Sequence, residues 1–94
     1  EPALAEYVVA LAGVTRRDAR LTLGASPRAA LALLRAVKAL LLVDGRGYAL
    51  PEDVKALAPA ALAHRLVLTP EARARDVTPE QVVAEALDTV PVPL

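Results

Sequence analysis

The sequence predicts an all-α fold, a small four-helix bundle with room for a short two-stranded ribbon, on three observations. Hydrophobic residues make up 55% of the chain but aromatics only 2%, with no Phe, Met or Trp, so the core must be built from Leu, Val and Ala. Ala and Leu are the strongest helix formers, whereas strands draw on β-branched and aromatic residues. Apolar positions also recur with a helical period, and Ser26-Pro27 and Thr78-Pro79 each have the form of a helix start. At 94 residues the chain is expected to form one domain, 1–94.

The first helix is predicted from Pro2 to about Val14, because Leu4, Tyr7, Val8, Leu11 and Val14 share one face. The polar stretch Thr15 to Arg20 then reads as a loop, and Leu21 to Leu23 alternates just long enough for a short strand before Gly24 and Ala25. Ser26 can cap a first-turn amide and Pro27 loses nothing at the first helical position, so the second helix starts there. From Ala29 to Val43 its only charges are Arg35 and Lys38, on much the same side as Arg28. The remaining circumference is apolar, which makes this the expected central helix, with Leu34 buried in it. Gly45, within Asp44 to Gly47, suits a left-handed C-terminal cap.

Pro51, Glu52 and Asp53 form an acidic first turn for a third helix, whose inner face is Val54, Leu57, Ala58 and Ala61. Pro59 lies inside it, where a missing N–H and a steric clash predict a kink or a break. Helix is expected to resume from Leu62 to Leu66, Leu66 to Leu68 reads as a second short strand, and Thr69 to Val77 as a loop. Thr78, Pro79, Glu80 and Gln81 spell a capping box for the last helix. Its face is Val82, Val83, Ala86, Leu87 and Val90, and Pro91 with Pro93 ends it.

Several function classes lose ground on composition. Eleven basic and eleven acidic side chains balance, so no basic excess is available for nucleic acid. Cysteine is absent, which removes disulfides, thiolate metal sites and cysteine nucleophiles. The longest apolar tract is broken by two charges and falls short of the ~20 residues of a membrane span, and Glu1-Pro2-Ala3 is no signal peptide, so a membrane partner is not expected and the location is read as cytoplasmic. The chain starts at Glu1 and contains no methionine, as expected of a piece of a longer parent protein.

Catalytic groups are scarce. The single serine, Ser26, has a capping role, and the single histidine, His64, suits the last carbonyls of a helix better than a metal. Glu52 and Asp53 are adjacent and diverge around their helix, and no phosphate-binding glycine loop is present. Arg16, Arg17 and Arg20 read as a solvated turn rather than a polyanion patch. Arg28 stands apart: it sits in the first turn of its helix, where the dipole disfavours a cation by several tenths of a kcal/mol. Geometry alone leaves two readings open, an exposed arginine whose stem escapes the dipole, or an arginine beside an anion docked on the free amides.

Leu23, Gly24, Ala25, Ser26, Pro27, Arg28 and Ala29 resemble the LGASPRA motif of the MoxR branch of AAA+ ATPases, in the small helical lid that follows the nucleotide-binding core. Tyr7 to Ala10, Thr15, Arg16, Leu42 to Gly45, Tyr48, Pro51 to Val54, His64 to Leu68 and Val90 to Pro93 extend the similarity over nearly the whole chain. Two places depart: Asp18 to Arg20 stands where the family often has His-Pro, and Leu50 where it often has Thr.

The resemblance implies that Arg28 is the sensor 2 residue, reaching from the lid to the β- and γ-phosphates of ATP, with Ser26 and Pro27 beside it and Tyr7 bordering the adenine. It implies ATP and Mg2+ in the parent and none bound by this piece alone, which should not be an enzyme by itself. The implied partners are the AAA+ core domain of the same chain, neighbouring subunits of a ring, and proteins with von Willebrand factor type A domains, in a chaperone-like remodelling machine. The alternative is a helical protein–protein interaction module with no nucleotide role.

Overall fold

The computed structural model describes residues 2–92; Glu1, Pro93 and Leu94, and with them the role given to Pro93 in ending the last helix, lie outside the described residues. Five α-helices and a two-stranded ribbon follow in order: α1 (Pro2–Arg16), β1 (Leu21–Leu23), α2 (Pro27–Asp44), α3 (Pro51–Leu62), β2 (Val67–Leu68), α4 (Pro70–Ala74) and α5 (Pro79–Thr89), with a 3₁₀ turn at Ala63–Arg65. α2 packs between α1 and α3, α5 closes over α1 and α3, and the antiparallel ribbon pairs Leu21 with Leu68 and Leu23 with Val67 at one end. Thr69 N–H adds a bond to Arg20 C=O at 2.8 Å. No helix among the described residues is long and apolar enough to cross a membrane.

The start and stop signals act as expected from local chemistry. Ser26 Oγ accepts the Ala29 N–H at 3.2 Å, and Gly45 adopts φ 67° while Arg46 N–H closes on Leu41 C=O. Thr78 and Gln81 cap each other's amides at 3.1 and 2.8 Å.

Five expectations need correction. α1 runs on to Arg16 because Thr15, expected in a loop, is buried with its hydroxyl bonded. Of the kink or break expected at Pro59 the break does not occur: α3 is one helix through the proline, with Val54, Ala58 and Leu62 buried on its inner face, so tertiary burial outweighs the lost hydrogen bond. The continuation after Leu62 is a 3₁₀ turn that ends in β2. The expected loop Thr69 to Val77 holds a fifth helix, α4: Thr69 Oγ1 accepts the Ala72 N–H at 3.1 Å, the Thr-Pro start seen again at Thr78. Finally, α2 is not enclosed on all its apolar sides. Its buried residues are Ala29, Ala30, Leu33 and Val37, Leu34 is only partly buried, and Leu42 and Val43 are 84% exposed.

Candidate functional site: the start of the second helix

Arg28 is the second residue of α2, exposed, with no ion-pair partner among the described residues. Most amides of the first turn are already committed. Pro27 has no N–H, the Ala29 N–H is capped by Ser26, and the Ala30 N–H bonds to Ser26 C=O at 3.1 Å. The Arg28 N–H remains, together with the hydroxyl proton of Ser26, whose oxygen is the cap acceptor. These groups and the guanidinium belong to one positively polarised helix end, the chemistry that binds phosphate oxygens.

The turn is held by the last turn of α1. Ala25 N–H donates to Thr15 Oγ1 at 2.8 Å, Thr15 Oγ1 donates to Ala12 C=O at 2.7 Å, and Arg16 Nη1 donates to Ala25 C=O at 2.8 Å. Gly24 lies so close that a Cβ there would stand 2.6 Å from both Arg16 Cα and Arg16 N. Glycine is required at this contact by space. A missed signal points to the clamp: Thr15 falls four residues after Leu11 and seven after Val8, on the buried stripe of α1.

Beside the turn, Val9, Ala12, Arg16, Pro27, Ala30, Leu31 and Leu34 line an apolar cleft of about 170 Å³. It shares Leu31 and Leu34 with a larger groove of about 700 Å³ that has Arg35, Lys38 and Tyr48 among its lining residues. Tyr7 is not on this face. Its side chain is 3% exposed, packed in the core, with its hydroxyl buried and unpartnered among the described residues. Burial, and secondarily the Glu52 carboxylate, push its phenol up.

The other candidates are structural in their contacts. His64 Nδ1 lies 3.2 Å from Ala60 O, at the end of α3. Arg20 pairs with Asp18 and Glu85, both at 2.7 Å, joining the segment before the ribbon to α5, and Arg16 donates to Ala25 C=O, so two of the three arginines of this turn are engaged within the fold. Among the described residues no cluster of His, Asp or Glu could hold a metal ion. The groups at the start of α2 are an N–H, a hydroxyl and a guanidinium, donors and a cation whose chemistry suits phosphate oxygens.

The family model of the AAA lid domain matches residues 13–86, which include the clamp and Arg28. This chain is an AAA lid domain. The lid is 42% identical over 100 residues to the chaperone MoxR1 of Mycobacterium tuberculosis, covering 97% of this chain and 26% of that protein. It is 35% identical to the protein MoxR of Methylorubrum extorquens, covering 99% of this chain and 31% of the relative. A crystal structure of a candidate ATPase from Cytophaga hutchinsonii superposes with a TM-score of 0.92 at 33% identity, over the whole lid and 31% of that chain. The lid thus spans under a third of the length of each of these proteins.

Proposed function

We propose that residues 1–94 are the nucleotide-sensing lid of a MoxR-type AAA+ ATPase and that Arg28 is its sensor 2 arginine. The carrying observation is a cation exposed at a helix N-terminus without an ion-pair partner among the described residues. The dipole disfavours that placement, and an anion docked on the same turn reverses the sign. In this reading ATP sits on the core domain of the parent, whose own acids hold Mg2+; the metal supplies charge neutralisation there. Arg28 approaches the β- and γ-phosphates with Ser26 and Pro27 shaping the turn. Its guanidinium stabilises charge on the transferred phosphoryl group.

The same contact makes the lid a sensor, because ATP and ADP then bind it with different free energies, and only such a difference shifts a conformational equilibrium. The adenine would border Val9 and Ala12 in the apolar cleft, beside Tyr7 in sequence but not on its ring. The long groove of α1 and α2 gives the lid surface for packing on its own core and on neighbouring subunits of a ring. The likeness to the chaperone MoxR1 supports a chaperone-like role; a place in the cytoplasm and partners with von Willebrand factor type A domains belong to the same proposal.

The test is Arg28→Ala in the full-length parent. Turnover should fall by about tenfold or more with far-UV circular dichroism unchanged. Wild-type turnover would remove the assignment.

A further inference from the structure

We propose that Thr15 is a positioning residue for Arg28, acting through Ala25; the inference rests on Arg28 being the phosphate-contacting arginine. Thr15 is 1% exposed and in line with the buried Leu4, Val8 and Leu11 of α1. Valine would fill the same space without burying a hydroxyl, so the oxygen is costly unless its bonds are both made. Both are. Its only proton goes to Ala12 C=O at 2.7 Å, which leaves a lone pair for Ala25 N–H at 2.8 Å.

Ala25 immediately precedes the cap residue of α2 and is itself fully buried. Its two backbone polar groups are taken by consecutive residues of α1, the N–H by Thr15 and the C=O by Arg16. Gly24, one residue earlier, rests directly on the Arg16 backbone. The start of α2 is therefore registered against α1 by two hydrogen bonds and a steric stop, three residues before Arg28. A flexible guanidinium acts on a transferring phosphoryl group only from a fixed base, and misplacement by about 1 Å can cost as much as 10²-fold in rate.

The test is a mutant cycle on ATP turnover by the full-length parent, using Thr15→Val, Thr15→Ser, Arg28→Ala and the Thr15→Val/Arg28→Ala double variant, with thermal melts alongside. Thr15→Val should lower kcat by about tenfold, more than it changes KM for ATP, and Thr15→Ser should restore it. In the Arg28→Ala background Thr15→Val should cost nothing further, which a merely structural role would not produce. Equal fold losses in both backgrounds overturn the inference, as does unchanged turnover in Thr15→Val when Arg28→Ala is impaired. Should Arg28→Ala itself leave turnover intact, the sensor reading fails first and this inference with it. Arg16→Met removes the second arm from an exposed residue and carries the same cycle if Thr15→Val does not fold.

Discussion

Arg46 and Asp53 lock the turn between α2 and α3 with a two-pronged ion pair, Nη2 to Oδ1 at 2.7 Å and Nη1 to Oδ2 at 3.1 Å. The same carboxylate accepts the Leu50 N–H at 2.8 Å. Leu50 cannot cap a helix, having no side-chain oxygen, and Asp53 supplies the reciprocal half of a capping box from the third helical position. The departure at Leu50 is thus offset by Asp53 and Arg46.

That geometry sets a pH dependence. The Arg46 guanidinium first, and the Leu50 N–H second, hold the Asp53 carboxyl below its ordinary 3.8. With a depressed folded pKa, the stabilisation is complete above 3.8 and is lost as pH falls through the lower folded value. Asp18, lowered chiefly by its hydrogen bond from Arg20, contributes with the same sign. The urea midpoint should stay level through mildly acidic pH and then drop below about pH 4. Asp53→Asn should start lower at neutral pH and decline less steeply in acid; a decline as steep as wild type contradicts the assignment.

Leu33, with no exposure, is the anchor of α2. Leu33→Ala should cost about 2 to 5 kcal/mol in chemical denaturation, from lost transfer energy and the cavity left behind. Leu34→Ala, from a side chain that lines the groove, should cost less, roughly 1 kcal/mol. Reversal of that order would place α2 wrongly about its axis.

Tyr7 buries a hydroxyl without a partner among the described residues, which costs about 1 to 3 kcal/mol in mutational series. Tyr7→Phe should therefore match or exceed wild-type stability and leave nucleotide affinity of the parent unchanged. A loss of more than about 1 kcal/mol would mean that the hydroxyl is bonded in solution.

Legibility followed the range of the interactions. Ser26, Gly45 and the Thr78–Gln81 box act within four residues, so their meaning could be read along the chain. The short helix α4 has the same Thr-Pro start at Thr69, but only Ala72 is buried in its five residues, leaving no apolar period to detect. Thr15 reads as the start of a loop because its partner, Ala25, is ten residues away. The exposure of Leu42 and Val43 was hidden for a related reason: an apolar run shows that a face avoids water, but not which neighbour covers it. Arg28 was readable as an anomaly of charge at a helix end. The clamp that aims it was not.

The central claim is that the first turn of α2 distinguishes ATP from ADP. Its most direct measurement is the ratio of ATP to ADP affinity of the full-length parent, with and without Arg28→Ala. Loss of a charge-assisted contact to the γ-phosphate, worth roughly 1.5 to 3 kcal/mol, should reduce that ratio by about tenfold or more. A ratio equal to wild type would contradict the account.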